Sequence, residues 1–271
     1  MLNNNYKMKQ ALKYFFIYLG LMLLGAVLFI FPALIIEIIT SQGLLSSDGE
    51  ISLWGMAFIM IGSQILPLIV FWKQKWCDYS FIKGVNYKKL LLFLALGWLG
   101  CVLVDACVQA YAPRFDWDTD ILSSIEGMST NPLGIISICI LAPVVEEGVC
   151  RGAIERKLLE KDWNPWWAIV ISAVLFALMH MNLTQGIIAL ILGLFLGWVY
   201  YRTRNIWLCI FVHALNNTVS TVLSLTLSDP DALSSFSLPV NLVLLLAGVG
   251  LVYLGANLTH KTMDGGGQLS V

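Results

Sequence analysis

Two adjacent glutamates interrupt one of the most apolar stretches of the chain, LGIISICILAPVVEEGVCR. Such a stretch is typical of a membrane span. An ionisable side chain at mid-membrane costs roughly 2.5 kcal/mol or more, which makes it a candidate functional residue. Glu147 and Arg151 are one helical turn apart and can form an ion pair on a shared face. This pairing gives Glu147 a structural role, whereas Glu146 lies roughly 100° around the helix and has no such explanation.

Two of the three histidines also lie in apolar stretches. His180 follows Phe176 by one turn in LFALMHMN, and His213 precedes Asn217 by one turn in FVHALNN. A single buried histidine is usually explained by a hydrogen bond in the core. Two such histidines, together with Glu146 on a third span, indicate one shared polar site. We predict that this site contains Glu146, His180, His213 and Asn217.

The predicted site suits the hydrolysis of an acyl bond by either of two routes. Glu146, His180 and His213 could bind a divalent metal such as zinc and leave one position open for water. Alternatively, Glu146 and His180 could deprotonate a water molecule directly. His213 and Asn217 would then donate hydrogen bonds to the developing oxyanion. No serine or cysteine occupies a matching position for a nucleophile.

The composition of the chain indicates which kind of secondary structure positions these residues. Of the 271 residues, 58% are hydrophobic and 12% are charged, whereas soluble domains have roughly 25% charged residues. A helix needs about 20 apolar residues to cross a bilayer, and runs this long are not barrel strands. The net charge of −1 gives no sign of a nucleic-acid partner. The pattern predicts an all-α, polytopic membrane protein with eight helices, over 14–39, 52–73, 90–111, 132–157, 166–182, 186–202, 206–228 and 238–259.

The distribution of basic residues predicts how these helices are oriented. With the N-terminus in the cytoplasm, 15 of the 16 Lys and Arg residues fall on the inner side, as is typical of membrane proteins. Both termini are then cytoplasmic. We expect a single membrane domain over 1–271, with a motif-bearing catalytic core over 130–220 that comprises helices 4 to 7. We also expect a long external loop over 112–131 and a flexible C-terminal tail over 260–271.

Three motifs, EEGVCR, FALMH and HALNN, occur in this order, each in a predicted span. Together they resemble the motifs of the CAAX protease and bacteriocin-processing (CPBP) family of intramembrane endopeptidases. This family is related to the type II CAAX prenyl endopeptidases. The resemblance covers about residues 130–220. It implies an eight-helix membrane fold with a cavity that opens toward the cytosol and the membrane.

The resemblance also implies a role for each motif residue. Glu146 would activate water with help from His180, and His213 would form the oxyanion site with Asn217. The other motif residues would give structural support: Glu147, Arg151 and Phe176.

Members of this family have been described both as metalloproteases and as glutamate-dependent proteases. An oxyanion site explains Asn217, whereas a zinc shell does not. We therefore expect no cofactor. The alternative is a divalent metal such as zinc, bound by Glu146, His180 and His213. The expected substrate is a peptide or membrane protein in the bilayer of a prokaryotic plasma membrane. Two other functions stay open, a catalytically idle scaffold or immunity protein and a proton or metal transporter.

Overall fold

The structure of the protein is a computed structural model that describes residues 4–39, 51–79, 86–110, 127–160, 163–181, 183–226 and 237–264. Most of the predicted loop over 112–131 and the tail from residue 265 onward lie outside the described residues. The described residues contain no β-strand. They form eight long helices: α1 Asn4–Ile39, α2 Leu53–Lys73, α3 Tyr87–Gln109, α4 Pro132–Leu158, α5 Pro165–Met179, α6 Leu183–Thr203, α7 Ile206–Thr226 and α8 Leu238–Asp264.

The helices confirm the prediction of an all-α, polytopic membrane protein. In the described ranges, 7 helices are long and apolar enough to cross a membrane, and α5 is shorter, with 15 residues. Each predicted span coincides with one helix. The largest difference is at α1, which begins at Asn4 because its polar first turns continue the helix.

The predicted flexible tail begins too early in the sequence. Residues 260–264 are the last turn of α8. The Nδ1 atom of His260 is 2.7 Å from the Oδ2 atom of Asp264, and Arg202 of α6 donates to Asp264 at 2.7 Å. These contacts give the polar side chains of the last turn partners at the helix end.

The fourth helix, α4, departs from regular α-helical geometry. Two of its segments, Ser137–Leu141 and Gly148–Glu155, are π-helical, so their backbone hydrogen bonds join residues five apart. The two glutamates lie in the α-helical segment Ala142–Glu147 between them. Interruptions of this kind occur frequently at functional sites.

The same helix is the most buried of the candidate spans. In the most apolar 18-residue stretch of α4, 56% of the residues are buried. The corresponding share is 17% in α1 and in α8. The pairs α1 and α2 and α5 and α6 pack against it, together with α7. The pair α3 and α8 packs against α6 instead. Gly193 lets α6 approach α5 closely, because an added Cβ atom would lie 3.2 Å from the Ala173 Cβ atom. The polar residues of α4 are therefore enclosed by other helices.

Candidate active site

The polar residues of α4 form a buried cluster of charges. Glu147, Arg151 and Glu155 follow one another at intervals of four residues, and their side chains are 0% exposed. Arg151 Nη1 donates to Glu147 Oε1 at 2.9 Å, so the predicted ion pair is present. Glu155 is held less closely, since its Oε2 atom is 3.9 Å from Arg151 Nε. Within the described part of the chain, neither carboxyl oxygen of Glu155 has a hydrogen-bond partner.

Arg151 joins this cluster to two neighbouring helices. Its Nη2 atom donates to the carbonyl oxygen of Gly193 in α6 at 2.9 Å. Its guanidinium carbon lies 4.9 Å from the centre of the Phe176 ring in α5. A planar guanidinium stacks well on an aromatic face. Phe176 therefore lies in the supporting position that the motif suggests.

His213 connects the buried cluster to the residues of the predicted site. Its Nδ1 atom is 2.9 Å from Glu147 Oε1, and a carboxylate only accepts hydrogen bonds, so Nδ1 carries a proton. Its Nε2 atom is 3.8 Å from Glu146 Oε2. The Glu146 side chain is 18% exposed. The adjacent glutamates thus face opposite nitrogen atoms of one imidazole ring, and sequence analysis did not predict the contact with Glu147.

His180 is the C-cap residue that follows α5. Its Nδ1 atom is 3.0 Å from the carbonyl oxygen of Phe176. Since a carbonyl oxygen only accepts, Nδ1 is the donor and Nε2 has the lone pair in the neutral ring. The edge-on Phe176 ring is centred 5.1 Å from His180 and 5.4 Å from His213. Phe176 therefore lies between the two imidazoles and contacts both.

Asn217 bonds to the carbonyl group of Ile138 in α4, which receives no hydrogen bond from a backbone N–H of its own helix. The N–H of Ala142 donates to Ser137, and the next residue, Pro143, has no N–H. The Ile138 carbonyl oxygen instead accepts a hydrogen bond from Asn217 Nδ2 at 2.9 Å. The side-chain amide has a second N–H that can bind another acceptor.

Two residues that sequence analysis did not single out orient Asn217. Trp98 Nε1 of α3 donates to Asn216 Oδ1 at 3.1 Å. Asn216 Nδ2 is in turn 3.5 Å from Asn217 Oδ1. Asn216 could have been noticed as part of the HALNN motif. Trp98 could not, because it lies on a helix without any motif.

The four predicted site residues line one cavity of about 400 Å³, a size typical of ligand sites. Apolar side chains from α2, α4 and α6 form part of its wall. The Glu147 and Arg151 side chains lie behind the wall, within the buried cluster. Polar side chains of α7 form a row along the cavity: Asn216, Asn217, Ser220, Thr221 and Ser224.

The segment that precedes α3 packs against α4 beside the two glutamates. Tyr79 donates from its hydroxyl group to the Val144 carbonyl oxygen at 3.3 Å. Burial raises the pKa of the Tyr79 phenol, so the phenol remains a donor. An added Cβ atom on Gly148 would lie 2.2 Å from the Tyr79 hydroxyl oxygen. The glycine after the two glutamates therefore gives Tyr79 the space to reach α4.

Two observations bear on the alternative in which Glu146, His180 and His213 bind a metal ion. No three His, Cys, Asp or Glu side chains among them form a group that could hold one. The Nδ1 atom of His213 contacts Glu147, and that of His180 contacts a carbonyl group. These contacts leave Nε2 of each ring for another partner, an arrangement that metal-binding histidines share. The metal-free route stays a prediction.

Comparison with known families agrees with the motifs. Residues 128–219 match the family model described as type II CAAX prenyl endopeptidase Rce1-like. The resemblance to CPBP endopeptidases is therefore confirmed, and the Rce1-like segment contains every residue of the predicted site.

One curated relative supports the same assignment. The Bacillus subtilis protein named "Putative membrane peptidase YdiL" is 35% identical to this chain over 94 residues. The match covers 35% of this chain and 38% of that protein, so the chain spans well under half of its relative's length. No solved structure matches the chain.

Proposed function

We propose that this protein is an intramembrane endopeptidase that cleaves membrane-associated or lipid-linked peptides without a metal ion. The observation that carries the proposal is the difference between the two glutamates. Glu147 is fully buried against a cation, whereas Glu146 faces the cavity with one side of His213 beside it. A carboxylate in that position can take a proton from water.

The proposed reaction begins with a water molecule between Glu146 and His180. The Glu146 carboxylate accepts one proton while the water oxygen bonds to the scissile carbonyl carbon. The C=O double bond becomes a C–O⁻ single bond. Collapse of this intermediate breaks the C–N bond, and the proton held by Glu146 passes to the leaving nitrogen. The products are a carboxylic acid and an amine.

The developing oxyanion requires donors that are already in position. Asn217 supplies the second N–H of its amide. His213 supplies Nε2–H when its ring is an imidazolium, since both ring nitrogens then donate. Glu147, at 2.9 Å from Nδ1, stabilises that cation. In this proposal Glu147 supports catalysis through His213 as well as the fold through Arg151.

The first experiment compares membrane-associated peptide fragments from cells that express wild type, Glu146→Gln or Glu160→Gln at equal levels. Glu160 is a matched control because its side chain is 43% exposed and pairs only with Lys157 in the described structure. We expect certain fragments to disappear with Glu146→Gln and to persist with Glu160→Gln. Identical profiles for all three proteins would reject proteolysis and favour the scaffold or transporter.

A second measurement separates the metal-free route from its alternative. Once a substrate has been identified, the purified protein is assayed before and after treatment with a strong chelator. The proposal expects equal activity. Activity that is lost with the chelator and restored by zinc would contradict the metal-free route and leave the protease assignment in place.

A further inference from the structure

The basic residues of the described ranges lie at one end of the helix bundle, apart from the buried Arg151. Lys7 at the start of α1 donates to the carbonyl group of Glu160, just after α4. Arg156 donates to the Trp76 carbonyl oxygen at 2.8 Å, in the turn after α2. These contacts bring the start of α1 and the ends of α2 and α4 together. We call this end of the bundle the basic end.

Helices α3, α6, α7 and α8 reach the basic end as well. Asn205, between α6 and α7, donates to the Tyr87 hydroxyl group at the start of α3 at 3.0 Å. Arg202, near the end of α6, contacts Asp264 at the end of α8. Lys and Arg concentrate on the cytoplasmic side of membrane proteins. The basic end is therefore the end expected in the cytoplasm.

The cavity extends away from the basic end. From Glu146 and His213 it reaches Ser129, just before α4 begins, and Ser224, near the end of α7. Gln185, near the start of α6, also lines it. Among the described residues, none of those that line the cavity belongs to the turns of the basic end. The cavity thus occupies the half of the bundle that the positive charges avoid.

We infer that the site receives its substrate from the non-cytoplasmic side of the membrane. That this substrate is a peptide rests on the proposed function. This differs from the cytosolic opening that the family resemblance implies. The substrate class is then a membrane-anchored peptide whose scissile segment lies on the outer side.

The walls of the cavity fit an extended segment of this kind. Polar side chains of α7 lie along one wall, where Ser220 and Asn216 can bond to the amide groups of a peptide backbone. Met60, Ile188 and Leu192 on the other helices are apolar. An extended chain presents its side chains alternately to opposite sides. Its apolar side chains can contact these residues while its backbone bonds to α7.

Cysteine labelling tests the side of access without any assay of activity. The variants are Ser220→Cys and Ser224→Cys in the cavity, with Gln74→Cys as an exposed, uncharged control at the basic end. The six native cysteines are all buried and free, so the wild type gives little background. A membrane-impermeant maleimide is applied to intact spheroplasts and to detergent-permeabilised ones.

We expect at least one of the two cavity variants to be labelled in intact spheroplasts, and Gln74→Cys only after permeabilisation. The reverse pattern would overturn the inference. It would also be overturned if both cavity variants stayed unlabelled even after permeabilisation, while Gln74→Cys became labelled. Labelling does not depend on catalysis, so a failure of the proposed function would leave the labelling pattern unchanged. A reversed pattern together with Glu146-dependent fragments would reject only the side of access.

Discussion

The buried cluster of Glu147, Arg151 and Glu155 and the cavity wall that contains Glu146 are adjacent on α4, yet their environments are opposite. In the cluster, the Glu147 carboxylate receives hydrogen bonds from Arg151 and His213 and is closed off from solvent. At the wall, Glu146 is partly exposed, and its Oε2 atom lies 3.8 Å from Nε2 of His213.

The difference shows how one helix can contain both structural and reactive carboxylates. A buried charge is tolerated when paired and hydrogen-bonded, and it then resists any change in its protonation. A general base has to exchange a proton with water in every catalytic cycle. The comparison therefore predicts that substitutions in the cluster affect mainly stability, and that substitutions at the wall affect mainly turnover.

Glu147→Gln is expected to have the largest effect on stability. It leaves the buried Arg151 with only the more distant carboxyl group of Glu155, at 3.9 Å. Removing one partner of a buried ion pair costs about 3–5 kcal/mol. We expect a lower yield and a clearly lower melting temperature in detergent. Glu146→Gln, one residue earlier, is the matched control and should melt like the wild type. A wild-type yield and melting temperature for Glu147→Gln would contradict the structural role of the cluster.

Asn217→Ala tests the other side of the comparison. Loss of one donor to an oxyanion lowers kcat about 10²–10³-fold, which corresponds to about 2.7–4 kcal/mol. We expect kcat to fall with little change in KM, because the hydrogen bond strengthens only in the transition state. Asn216→Ala, which leaves Asn217 bonded to Ile138, should cause a smaller loss. A large rise in KM at unchanged kcat would contradict the oxyanion role.

Pro143→Ala links the backbone of α4 to the geometry of the cavity. Alanine would supply an N–H that can donate to the Ile138 carbonyl oxygen within the π-helical pattern. That donor would compete with Asn217, so we expect kcat to fall several-fold, or about 1 kcal/mol in the barrier. Stability should stay equal or increase, because proline disfavours helix interiors.

The control for this prediction is Pro132→Ala. Pro132 is at the first position of α4, where the missing N–H has no helical partner in any case. We expect wild-type activity for Pro132→Ala in the same kinetic assay. Equal losses of activity in the two variants would indicate a general effect of proline on α4 and would reject the competition with Asn217.

Helix positions followed from the sequence because the bilayer imposes a minimum length on each apolar run. The grouping of Glu146, His180, His213 and Asn217 followed from the rarity of ionisable residues in spans. Two features did not. The π-helical segments depend on which backbone groups find partners after folding, and hydropathy does not record this. Trp98 lies in no motif, so its contact with Asn216 emerges only when distant helices pack. The spacing of Glu155 from Arg151 is visible in the sequence, but its complete burial is not.

Glu155→Gln is expected to have the smallest effect and makes the comparison sharper within the cluster itself. Glu147 and Glu155 are each four residues from Arg151, but only Glu147 bonds to it directly, at 2.9 Å against 3.9 Å for Glu155. A buried carboxyl group without a hydrogen-bond partner contributes little that an amide of the same shape cannot replace. We therefore expect the free energy of unfolding to change by less than about 1 kcal/mol, measured by denaturation in detergent beside Glu147→Gln. If the two substitutions destabilised the protein equally, Arg151 would be shared evenly between both carboxylates. Glu147 and Glu155 would then contribute equally to the stability of the cluster.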